Sequence, residues 1–91
     1  MTVIEEVTAE RERQKSVEGW SEAHDDEHRD SEIADAAACY AHGSSMLFDR
    51  HGKSVWPDGW KFKDKTDRRN LIRAAALLVA EIERLDRARP R

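Results

Sequence analysis

Leu71, Ala75, Leu78, Ile82 and Leu85 follow one another at spacings of four, three, four and three residues. That is the period at which apolar side chains line one face of an α-helix and seat against a neighbouring helix. Ile72 and Val79 widen the stripe, whereas Leu77 falls off it. Thr66 or Asp67 can cap the start and Pro90 lies past the end, so the pattern predicts a helix over residues 67–87. A helix of this length spans about 30 Å, more than any other helical segment of the chain can cover. The surplus stripe predicts a partner chain.

The remaining sequence has little else to bury. Of 91 residues, 38% are hydrophobic and 38% charged, and a chain of this size buries only about 60–65% of the surface its unfolded form exposes. Cys39 is the single cysteine, so no internal disulfide adds stability, and its alanine-rich surroundings read as those of a small buried filler. Small chains without disulfides often gain stability by oligomerising. The expectation is therefore one domain over residues 1–91: an all-α, three-helix antiparallel bundle, completed as a homo-oligomer (dimer or tetramer). Single cysteine usage, no secretory leader and no long apolar run predict a cytoplasmic protein without membrane contact.

Two further helices are legible. Thr2 followed by Glu5 is a capping-box arrangement, predicting a helix over residues 3–17 that Gly19 ends. Its apolar positions are few (Val3, Ile4, Val7, Val17), which suggests a solvated helix docked by one narrow stripe. A second helix has Ser31 before it, residues 33–41 as its body and Gly43 as its stop, with an earlier start at Ser21 and a kink near Asp30 as an alternative. Its alanines let another helix approach closely, so it should lie at the centre of the fold. Between the second and third helices, residues 43–65 form a long connection rich in large apolar groups. Turn chemistry at Asp49-Arg50-His51-Gly52 allows a short two-stranded excursion between Met46 and Val55.

Net charge is −3, unevenly spread. Residues 1–35 hold 12 acidic and 4 basic side chains, a balance of −8; residues 36–91 hold 7 and 12, a balance of +5. The basic half is too weakly charged, and too close to the acidic half, for duplex nucleic acid to be the expected partner.

Two constellations could carry chemistry. Trp56-Pro57-Asp58-Gly59-Trp60-Lys61-Phe62-Lys63 runs into Arg68 and Arg69, and residues 61–73 carry six basic and two acidic groups. Aromatic planes beside cations suit a nucleobase and its phosphates, through ring stacking and charge-assisted hydrogen bonds. The ordinary alternative is that the indoles roof a thin core and the cations are solvated. The other constellation is His24-Asp25-Asp26-Glu27-His28 followed by Asp30, Glu32 and Asp35. On one helix, His24, His28 and Glu32 would share a face and could hold a metal ion; otherwise the acidic run complements a helix N-terminus. Trp20, just ahead of this cluster, is read as a wedge between helices or a second stacking platform. The candidate ligand-binding set is therefore Trp20, His24, His28, Trp56, Trp60, Lys61, Lys63, Arg68 and Arg69, with no catalytic residue assigned. Charge reversal at Lys61 or Arg69 is expected to abolish binding and leave the fold intact.

Over nearly its whole length the chain resembles a group of small phage and prophage proteins of uncertain function. The likeness rests on Arg11-Glu12-Arg13-Gln14, Glu18-Gly19-Trp20, and Glu22-Ala23-His24-Asp25-Asp26-Glu27-His28. It continues through residues 32–41 (Glu-Leu-Ala-x-Ala-Ala-x-x-Tyr-Ala in the group), the Trp56 to Lys61 segment, and the ending over residues 68–87. The resemblance implies a bacterial host cytoplasm and a phage context. In that context one implied role is an anti-defence sponge: a small helical oligomer that sequesters a cyclic nucleotide or cyclic ADP-ribose immune signal without cleaving it, and needs no cofactor. Glu32-Ile33-Ala34-Asp35 also looks like the ExxD element of MazG-like nucleoside triphosphate pyrophosphohydrolases. That alternative implies Mg²⁺ held by Glu6, Glu10, Glu32 and Asp35, although the spacing from Glu6 to Glu10 is one residue longer than that superfamily's pattern. A third role is an adaptor or inhibitor of a host protein.

Overall fold

The computed structural model describes residues 1–89, so the expectation that Pro90 lies past the last helix falls outside the described residues. The protein is mostly helical, with α1 at Val3–Ser16, α2 at Glu22–Asp26, α3 at Glu32–His42 and α4 at Asp67–Ala88. Among the described residues there are four helices where three were expected. The early start anticipated at Ser21 is a separate short helix, because Ser21 caps α2 at His24 N and Ser31 breaks the chain with a positive φ of 72° before α3. None of the described helices is long and apolar enough to cross a membrane.

Local chemistry sets the helix ends. Thr2 and Glu5 form the reciprocal capping box. After α1, Gly19 takes a left-handed φ of 76°, which lets Trp20 N–H bond back to the Gln14 carbonyl at 3.0 Å and turns the indole toward the following segment. Gly43 closes α3 in the same conformation. The connection from 43 to 65 is irregular, with one antiparallel bridge between Phe48 and Ser54 where the two-stranded excursion was expected.

The core lies between α3 and α4: Ile33, Ala36, Ala37 and Tyr40 meet Ala74, Leu77 and Ala80. Small side chains on both faces permit close approach. Trp20, Trp56, Trp60 and Phe62 close one side of this core, each partly buried. Cys39 is fully buried, and burial, helped by the nearby Asp35 charge, pushes its thiol pKa up. The filler reading stands.

Two expectations about faces are corrected. Helix α1 does not dock by a valine stripe: Val3, Ile4 and Val17 are exposed, and the buried positions are Glu10, Arg11 and Gln14. Glu10 is held by Arg13 of the same helix and by Arg69 of α4, Arg11 pairs with Asp25 of α2, and the Gln14 amide donates to the Arg73 carbonyl of α4. In α4 the inward face is the other one. Leu77 is 2% exposed, whereas Leu71, Leu78, Ile82 and Leu85 stand 48–58% exposed. The face that packs on α3 and α1 carries Asn70, Arg73, Glu81 and Arg84 among its alanines, and each is buried.

Candidate aromatic and histidine site

Trp60 is the centre of the site. It lies in the irregular connection, where the turn Pro57-Asp58-Gly59-Trp60 is closed by a bond from Trp60 N to the Pro57 carbonyl and by the Trp56 indole N–H donating to the Trp60 carbonyl at 2.6 Å. Gly59 supplies the left-handed φ of 81° that the turn needs. Trp56 thereby packs edge-on against Trp60, Tyr40 and Phe62. On its other side Trp60 meets Trp20, His24 and His28, with ring centroids at 6.0, 6.1 and 5.1 Å.

Two depressions open around this ring. One, of about 270 Å³, is lined by Glu18, Trp20, His24, Trp60, Lys61 and Lys63. The other, of about 420 Å³, runs past His28, Asp30, Glu32, Asp35, Lys53, Trp56 and Trp60. Seven of the nine candidate ligand residues therefore converge: Trp20, His24, Trp60, Lys61 and Lys63 in the first depression, His28 and Trp56 in the second. The first sets two lysines against Glu18, and the second sets Lys53 among four carboxylates, Asp30, Glu32, Asp35 and Asp58.

Arg68 and Arg69 are not part of it. Arg68 makes a two-pronged pair with Glu6 at 2.7 and 2.9 Å, and Arg69 pairs with Glu10, so both cations tie α4 to α1. The same pairs account for the alternative Mg²⁺ ligands. Glu6 and Glu10 line a separate depression with Arg13 and Arg69, while Glu32 and Asp35 line the one beside Trp56. No cluster of three or more metal-ligating side chains forms among the described residues.

The histidines are held firmly. Arg11 binds the Trp20 carbonyl at 3.0 Å and the buried Asp25 carboxylate, and Asp25 in turn contacts His24 Nδ1 at 3.1 Å. His28 Nδ1 lies 3.2 Å from Glu32, and the two imidazoles meet through their Nε2 atoms at 3.2 Å. Hydrogen bonds from its own backbone and from the Asp30 N–H, with a further bond to His28, keep the Glu32 carboxyl below its usual range despite some desolvation. At the rim, burial pushes Glu18 up, but bonds from Lys63 and Arg13 outweigh it and leave that carboxyl below the usual range. Asp35 goes the other way, raised by burial and by the Glu32 and Glu81 charges.

Sequence reasoning missed two members of this site. Glu18 belongs to the cationic depression, and Arg11 organises Trp20 and Asp25 from the buried face of α1. Arg11 and Asp25 are 14 residues apart on different helices, a spacing with no local signature. Known protein families, curated proteins and solved structures offer no match to this chain.

Proposed function

We propose that the protein is a non-catalytic binder of a phosphorylated aromatic small molecule, of the nucleotide-sponge type that the phage-like sequence resemblance suggests. A single observation carries this reading: the depression beside Trp60 gathers two indole rings and two lysines on one wall system. The ring of a base has faces to stack on, and its phosphate has Lys61 and Lys63 within the same depression. At about 270 Å³ the depression sits at the low end of ligand sites. It suits one ring with its phosphate, and a larger cyclic ligand needs the neighbouring depression or a second chain as well.

Self-association supplies that second chain. Leu71, Ala75, Leu78, Ile82 and Leu85 form an uncharged stripe two heptads long on the outer face of α4, and its four large members are about half exposed. Against a second copy running antiparallel about Leu78, Leu71 faces Leu85 and the small Ala75 faces the larger Ile82. The same arrangement sets Asp67 opposite Arg89, whereas a parallel pairing would set each against its own like charge.

The test is a panel of cyclic mononucleotides, cyclic dinucleotides and cyclic ADP-ribose isomers titrated against indole fluorescence, with the ligand recovered after heat denaturation. Binding with intact recovery supports a sponge. Release of pyrophosphate from nucleoside triphosphates with Mg²⁺ would instead establish an enzyme. Silence in both, with a host protein co-purifying, would establish an adaptor.

A further inference from the structure

His24 sits in α2 and His28 two residues past its end, yet their rings are kept together by the turn, in which His28 N–H bonds to the Asp25 carbonyl at 3.0 Å. Each Nδ1 lies against a carboxylate oxygen: that of Asp25 at 3.1 Å, whose other oxygen Arg11 holds, and that of Glu32 at 3.2 Å. A carboxylate only accepts, so each Nδ1 carries the proton and donates it. In the neutral rings both Nε2 atoms then carry lone pairs, and they face each other at 3.2 Å. Two facing lone pairs repel unless a proton or a cation stands between them.

The distance fits a cation. Two imidazole nitrogens on a tetrahedral ion, each about 2.0–2.1 Å from the metal, stand roughly 3.3 Å apart. Histidine ligands of metals characteristically donate the other ring N–H to a carboxylate, which orients the ring and raises its basicity. Both rings here have that support. The pair is reachable, with side chains 28% and 21% exposed, and it lies at Trp60 where the two depressions adjoin.

We propose that His24 and His28 form a two-histidine site for a first-row transition metal ion such as Zn²⁺ or Cu²⁺, with Asp25 and Glu32 as its orienting carboxylates. Imidazole donors suit these ions, and Mg²⁺ prefers oxygen. Two protein ligands leave at least two coordination positions for water or for donor atoms of a bound molecule. The inference stands on the histidine geometry alone and does not need the nucleotide reading.

The test titrates Zn²⁺ alone, without nucleotide, into the full chain by calorimetry and records the electron paramagnetic resonance spectrum of the Cu²⁺ form. One ion per chain and coupling to two imidazole nitrogens are expected. His24→Gln and His28→Gln should each lower affinity at least tenfold, and Glu32→Gln by about 10–100-fold. No stoichiometric uptake, or uptake unchanged in the double glutamine variant, overturns the site. Should that variant fail to fold, the Cu²⁺ spectrum of the unaltered chain decides, since coupling to one nitrogen or none also overturns it. Loss of the metal site with nucleotide quenching retained would leave the proposed function standing.

Discussion

Lys63 Nζ lies 2.6 Å from Glu18 Oε2 at the rim of the depression that Trp20, His24 and Trp60 line. The carboxylate occupies a cation that a phosphate would use. Because a pair whose lysine is 45% exposed is worth about 0.2–1 kcal/mol, Glu18→Gln should tighten binding of a phosphorylated ligand by roughly 1.5- to fivefold. Indole fluorescence titration reads the change, and weaker binding would mean that Glu18 serves to position Lys63 instead.

The nine-residue candidate set splits into two groups with different outcomes. Lys61→Glu should weaken ligand binding and leave the unfolding midpoint near that of the parent, since Lys61 is exposed at the depression. Arg69→Ala should do the reverse. It removes one of two cations on the buried Glu10 carboxylate, but Arg69 is 39% exposed, so the expected loss is about 1 kcal/mol. Urea unfolding beside ligand titration separates the two.

Acid should loosen the α1–α4 contact. Glu6 is held low by Arg68, and Glu10 by Arg13 and Arg69 against an opposing burial effect; Glu18 behaves likewise. With folded-state values below the ordinary 4.5, these groups stabilise the fold fully above that pH, and the contribution is lost as pH falls through their folded values. Asp35, raised above 3.8, opposes the trend weakly. Urea midpoints measured at pH 7 and then below pH 4.5 should fall. A flat profile would count against the pairs.

The two faces of α4 predict opposite phenotypes. Leu78→Glu with Ile82→Glu should abolish the proposed self-association by light scattering while the helical circular dichroism persists, because both side chains are exposed in the single chain. Leu77→Ala opens a cavity in the α3–α4 core and should cost about 2–5 kcal/mol of stability. A parent protein that is already monomeric would refute the antiparallel pairing.

Helix positions were readable from residues close in the chain. The Thr2–Glu5 box, the Gly43 stop and the Thr66 cap each depend on hydrogen bonds spanning a few residues, so local chemistry decides them. The convergence of Trp20, His24, Trp60 and Lys61 was legible as residue type, and Lys63 with them. Which cations would stay with the indoles was not. Arg68 and Arg69 are bound to acids 62 and 59 residues away, partners that exist only once α1 lies on α4.

The amino-acid pattern by itself determined an amphipathic helix with a heptad stripe over about residues 67–87; only the packed chain decided which face turned inward. The leucine stripe is the more apolar of the two, and periodicity points to it. The alanine face won because α3 is also lined with alanine, and two small-residue surfaces can approach closely. Polar groups carried into the α1–α4 contact also find partners there: Arg69 with Glu10, and the Gln14 amide with the Arg73 carbonyl. Whether a buried polar group is satisfied depends on atoms from distant parts of the chain, and a one-dimensional spacing rule cannot supply them.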